Sequence, residues 1–247
     1  MVEDIMPYMN LVHGRRAAMV ATLASFAFAL VAGVRGVEIM PSRDVRAGMK
    51  GVGKSVFHGY KIDEFQAEVL GVLRNARPGA DIILARLSGA GLEETGVIAG
   101  MSGSPVYVDG KIIGAVAFAW EFAKNPIAGI TPIEDMLALR TGGPGGAAPS
   151  GPIKGEAPSA RGEFFPVATP LSIAGFDPRA IPFLTSLFPG EDFVPVITGE
   201  ADVAATGDAG AAPPLEPGSA VGIRLISGDL NVAAVGTVTF ADEKGLL

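Results

Sequence analysis

Two short segments carry residues whose types and spacing could do chemistry. In Ala99-Gly100-Met101-Ser102-Gly103-Ser104-Pro105 a serine sits between glycines. A serine hydroxyl is a weak nucleophile unless a tight turn presents it beside N–H groups that can bind a developing oxyanion, and Gly-x-Ser-Gly permits that turn without Cβ clashes. Ser102 is the candidate nucleophile. The segment is not the elbow of an α/β-hydrolase, because Ser104 rather than Gly stands two residues on and a hairpin signal follows where a helix would be needed. The second segment, Gly48 to Ser55, reads GMKGVGKS and matches the G-x-x-x-x-G-K-[ST] phosphate loop. Its flanks reject nucleotide binding: Pro41 to Arg46 is too polar for the buried strand such a loop leaves, and Val56-Phe57-His58-Gly59-Tyr60 is a poor helix start. A Gly-rich turn whose glycines supply positive φ is the reading preferred for it.

Composition narrows the chemistry further. The 247 residues include no cysteine, which removes disulfides, thiolate zinc sites and a cysteine nucleophile, and only two histidines, His13 and His58. The net charge of −7 offers no basic stripe, so no nucleic acid partner is expected. No metal or other cofactor is expected either. With 34 Gly and 19 Pro against 18% charged residues, turns and extended segments should outnumber long helices.

The elements that must position Ser102 are read from pattern. Arg15-Arg16 followed by the uncharged run Ala17 to Val34 has the order of a secretory signal, so export to the periplasmic or extracellular side is expected. Residues 17–34 are also near the lower limit for a span, which leaves anchoring in the inner membrane as the second reading. Phe65 to Leu73 and Asp81 to Leu87 read as a hairpin turning through Asn75 to Gly79. Val106 to Val108 and Lys111 to Phe118 flank Asp109-Gly110, the strongest hairpin cue in the chain. Ile133 to Leu139 fits one or two helical turns. Thr141 to Ala160 has linker composition, and Ser219 to Phe240 reads as two strands joined through Ser227-Gly228-Asp229.

The serine segment is similar to the Gly-Asp-Ser-Gly-Gly-Pro stretch of chymotrypsin-like peptidases, with Met101 and Ser104 in the Asp and second Gly places. Leu92 to Ile98 ahead of it, Val106 to Lys111 and Ile113 to Val116 behind it, and Gly129 to Leu137 resemble the serine region of SpoIVB peptidases. Asp44 to Leu73 and Pro217 to Phe240 resemble further parts of that family. The resemblance implies a mainly β, chymotrypsin-like double barrel and a serine peptidase acting on polypeptides. Ser102 is then the nucleophile, and the N–H groups of Gly100 and Ser102 are the oxyanion donors.

One departure bears on activity. In the family a Gly-His follows the strand matching Gly236-Thr237-Val238-Thr239-Phe240, and its imidazole is the general base; here Ala241 to Leu247 follows without one. The expectation is a chain cut short before its base, or a binding module that has lost it. His58 reads as a surface or turn residue, and a Ser–Lys arrangement through Lys54 or Lys111 has no support in the pattern. No Asp can be assigned as the orienting acid. Glu93, Glu94, Glu134, Asp135 and Asp229 read as solvated or capping carboxylates. The expected organisation is a signal or anchor at 1–36, a serine-bearing β domain at 37–140, a linker at 141–160, and the start of a histidine-bearing β region at 161–247, its second barrel incomplete.

Overall fold

A computed structural model describes residues 37–77, 80–120, 125–140, 153–157, 160–187, 193–197, 214–242 and 245–247. The expected signal or anchor at 1–36 therefore lies outside the described residues, as does the larger part of the expected linker, 141–152. Among the described residues no helix is long and apolar enough to cross a membrane.

The chain is mainly β. Six antiparallel strands, β1 (Lys50–His58), β2 (Lys61–Arg77), β3 (Ala80–Ser88), β4 (Pro105–Val108), β5 (Lys111–Trp120) and β6 (Ile127–Pro132), follow the order β4-β1-β2-β3-β6-β5. A further β4–β5 pairing closes them into a barrel. Closure leaves no free edge among the six. The fold is consistent with the expected chymotrypsin-like barrel.

The two hairpins read from sequence are present. β2 and β3 pair from Gln66↔Ser88 to Arg77↔Ala80, so β2 runs past the expected turn start at Asn75. Asp109 and Gly110, at φ 51° and 75°, turn β4 into β5, as a two-residue loop with both residues left-handed should. Two short helices, α1 (Leu92–Thr95) and α2 (Ile133–Arg140), precede β4 and follow β6. Phe65, Val69, Ile83, Leu87, Val106, Ile113, Val116 and Ile130 fill the barrel and are buried. Each such side chain taken out of water contributes about 1.5–3 kcal/mol before entropy is set against it.

The GMKGVGKS match finds its physical reason here, and it is not the Gly-rich turn expected. Residues 50–55 lie in β1, and of the three glycines Gly48 alone has positive φ. Alternation puts Gly51, Gly53 and Ser55 on the inner face and Val52 and Lys54 on the outer, because side chains reverse at every residue of a strand. A Cβ on Gly53 would stand 2.1 Å from the buried Phe65 ring, and one on Gly51 2.3 Å from the Tyr107 carbonyl oxygen. The glycines therefore make room for a neighbour's ring and backbone. Lys54 reaches outward over the Tyr107 ring, 5.9 Å from its centroid, and burial pushes the Tyr107 hydroxyl up to about 12.

Beyond α2 the structure departs from the linker expected at 141–160: β7 (Ile153–Ala157) pairs with β8 (Ala160–Pro166), and β8 joins the barrel sheet through β5. The pairing of Trp120 with Phe164 anchors it, with ring centroids 4.5 Å apart, edge to face. A second sheet has the order β10-β9-β12-β11, built from β9 (Thr169–Ala174), β10 (Phe193–Ile197), β11 (Ala220–Ile226) and β12 (Asn231–Thr237). A helix, α3 (Ile181–Leu187), stands between β9 and β10, and Leu171, Ile173 and Val232 form this sheet's small core. A final pair, β13 (Ala241–Asp242) and β14 (Gly245–Leu246), is antiparallel.

If β1 is glycine-rich because β4 lies against it, Gly51→Ala should lower stability by about 1–3 kcal/mol through overpacking against a carbonyl that cannot yield. A thermal melt indistinguishable from wild type would contradict the register of β1 on β4.

Candidate active site

The serine turn follows α1, and its bonds explain its shape. Met101 N–H donates to Ile98 O at 3.3 Å and Ser104 N–H to Met101 O at 3.0 Å, which tightens the chain into successive turns. Gly100 and Gly103 take φ of 91° and 89°, values that a side chain would strain. Gly103 N–H donates to Val116 O, and Val116 N–H to Ser104 O, so the turn is stitched to β5. Met101 and Ser104 are fully buried while Ser102 between them is partly exposed. The hydroxyl that could attack a substrate is thus the one the turn keeps accessible.

Behind the turn lies a group of hydroxyls that sequence reasoning missed. Ser104 Oγ is 3.0 Å from Ser55 Oγ and 3.5 Å from Thr237 Oγ1, and all three side chains are buried. Thr237 Oγ1 donates to Gly100 O at 3.0 Å, and Thr239 Oγ1 donates to Gly103 O at 2.6 Å. Thr237 N–H donates to Ser102 O at 3.0 Å. Two donors from Thr237 and one from Thr239 therefore satisfy three carbonyls of the serine turn. A Cβ on Gly103 would meet Thr237 O at 2.2 Å, so contact between the two backbones requires glycine there.

The expected oxyanion donors are placed differently from each other. Gly100 N–H donates to Ala168 O at 3.2 Å and is occupied. Ser102 N–H has no acceptor among the described residues.

None of the candidate bases meets Ser102 among the described residues. His58 is exposed at the β1–β2 turn, where it pairs with Lys61. Lys111 forms an ion pair with Glu38 at 3.1 Å, and Lys54 lies over Tyr107. His13 lies outside the described residues.

Several carboxylates have structural partners. Glu93 accepts Gly89 N–H at 2.7 Å, a bond that holds its carboxyl below the usual range, and Glu134 accepts Ser42 N–H at 2.7 Å. Burial raises the Asp81 carboxyl, but Asn75 N–H, Arg74 and Ser42 Oγ outweigh it and hold the group low. Among the described residues no group of His, Cys, Asp or Glu could hold a metal ion.

Residues 32–137 match the SpoIVB peptidase S55 family model. No curated protein and no solved structure matches the chain. The matched SpoIVB-type region contains Gly100, Ser102, Gly103 and Ser104, whereas Ala168, Thr237 and Thr239 lie beyond it. The family is one of peptidases, and peptidases are hydrolases of polypeptides.

Gly103→Ala and Gly110→Ala compare two left-handed glycines, of which Gly110 has nothing within 4 Å of an added Cβ. Gly110→Ala should cost about 1 kcal/mol from φ strain, and Gly103→Ala at least about 2 kcal/mol more from collision with Thr237. Equal losses in urea unfolding would remove the contact between residues 103 and 237.

Proposed function

We propose that the chain is a SpoIVB-type serine endopeptidase acting outside the cytoplasm, with Ser102 as its nucleophile. The observation that carries the reading is the partly exposed Ser102, set between the buried Met101 and Ser104 on a turn inside the family-matched region. In the reaction that the family resemblance implies, Ser102 Oγ attacks the carbonyl carbon of a peptide bond while an imidazole base takes its proton, a group that none of the described residues supplies at Ser102. The tetrahedral oxyanion accepts Ser102 N–H and, once the Gly100 N–H leaves Ala168 O, that donor also. The amine departs with the proton, and water then hydrolyses the acyl-enzyme. Export is supported by Arg15-Arg16 ahead of Ala17 to Val34, and the same run would serve as an anchor if retained.

A second reading has a specific observation in its favour. With Gly100 N–H spent on Ala168 O and no base at Ser102 among the described residues, the fold would suit an exported binding module that keeps the serine turn without catalysis. Nucleotide binding through residues 48–55 loses its remaining support, since these residues are in a β strand and not a loop that opens a helix.

A fluorophosphonate probe separates the readings. General-base assistance contributes about 10²–10⁴-fold, so the 247-residue chain should label slowly, at Ser102, and Ser102→Ala should abolish the adduct. No adduct after prolonged exposure would favour the binding module. An adduct that survives Ser102→Ala would remove the nucleophile assignment.

A further inference from the structure

The serine turn makes its carbonyl contacts to a segment well over a hundred residues away in the chain, and that segment has a fastening of its own. Thr237 ends β12 and Thr239 lies two residues on, and both hydroxyls end on carbonyls of the turn. Val238 between them is held by backbone bonds: Val238 N–H donates to Ser219 O at 2.9 Å, and Val238 O accepts Gly218 N–H at 2.8 Å. Gly218 in turn lies against Lys54 and Ile62, where an added Cβ would come within 2.8 Å and 2.9 Å of side-chain atoms. Beyond the threonines, Thr239 N–H and Phe240 N–H both donate to Leu247 O. The same stretch is tied to α2 by Arg140, whose two terminal nitrogens reach the two Asp242 carboxylate oxygens at 3.2 Å and 2.9 Å. That pair is a fork on a carboxylate with the Arg140 side chain only 19% exposed, a geometry worth more than a solvated ion pair.

Resting on the reading of Ser102 as nucleophile, we propose that Thr237 and Thr239 are positioning residues for it. Residues 237–242 act as a clamp that sets the serine turn and is latched to α2 by Arg140–Asp242. The physical basis is that the N–H groups of Met101 and Ser104 bond within the turn and those of Gly100 and Gly103 to Ala168 and Val116, whereas the carbonyls of Gly100, Ser102 and Gly103 are all satisfied from the clamp. Without the hydroxyls, the part-buried Gly100 O and Gly103 O would lose these donors, and the peptides would rotate to find water. Rotation there moves the Ser102 N–H and Cα directly. The nucleophile's geometry thus depends on a segment that the matched family region does not include.

The test is amide hydrogen exchange on the full chain with Thr237→Val, which keeps the shape and removes the hydroxyl, and Thr237→Ser, which restores it. Thr237→Val should speed exchange at Gly103 and Ser104 by about ten- to a hundredfold, the effect of losing one or two buried hydrogen bonds, while Phe65 and Ile83 in the barrel keep wild-type rates. Thr237→Ser should bring the turn back to within about threefold of wild type. Arg140→Ala, which touches no residue of the turn, should give a smaller acceleration at the same two amides. The proposal is overturned if Thr237→Val leaves the turn unchanged, if turn and barrel accelerate together, if serine fails to rescue, or if Arg140→Ala leaves the turn at its wild-type rate. Fluorophosphonate labelling of the same proteins separates this from the nucleophile reading. The expected exchange pattern with no Ser102 adduct even in wild type would remove the nucleophile and leave the clamp standing.

Discussion

A peptide carbonyl buried without a donor costs about 1–3 kcal/mol, and a tight turn presses several carbonyls outward at once. In this protein the turn that presents Ser102 directs the carbonyls of Gly100, Ser102 and Gly103 toward residues 237–239. The pairing with Thr237 and Thr239 is what permits the turn to be both tight and buried on its inner side. Other features fit around that constraint. Gly103 must lack a side chain for the two backbones to meet, and Ser104 turns inward to share a hydroxyl bond with Ser55. β1 carries small residues on its inner face so that Ser55 and the Phe65 ring can both be accommodated.

The barrel itself supplies the stiffness against which the turn is set. Its strands close on themselves through β4 and β5, the two that follow directly from the turn, so Val116 is fixed by two backbone bonds to Gly103 and Ser104. A closed sheet cannot slip register without turning its apolar side chains to solvent, and the core from Phe65 to Ile130 makes that slip expensive. The outer segments add to this frame. β8 extends the barrel sheet by pairing with Phe118–Trp120 of β5, and Gly100 N–H reaches Ala168 just beyond β8. The turn is therefore held from the barrel on one side and from the β8–β9 connection and the clamp on the other.

Local signals were legible in the sequence where one short stretch decides the outcome. Asp109-Gly110 could hardly form anything except a hairpin, and the runs on either side of Ser227-Gly228-Asp229 pair as their composition implied. Ile133–Arg140 is helical where one or two turns were expected. The glycines of residues 48–55 were misleading for a definable reason: turn glycines and strand glycines look alike until the neighbour that needs the space is known, and here those neighbours are Phe65 and Tyr107. Residues 153–157 pair in the barrel sheet although their surroundings have linker composition, because β8 supplies the edge they lack alone. The threonine clamp was illegible for the same reason at longer range. Thr237 and Thr239 read simply as strand residues, and no spacing in the chain announces that their hydroxyls end on a turn so distant in sequence.

On the reading proposed above, the turn presents Ser102 for attack while no side chain among the described residues takes its proton. Rescue by free imidazole tests it most directly, because a small neutral base can supply the missing step only where the nucleophile is already presented. Fluorophosphonate labelling at Ser102 should accelerate in proportion to imidazole concentration and follow the neutral form of imidazole as pH is raised, with Ser102→Ala inert throughout. Labelling at its full rate without imidazole, or an imidazole-dependent adduct on any other serine, would rule this out.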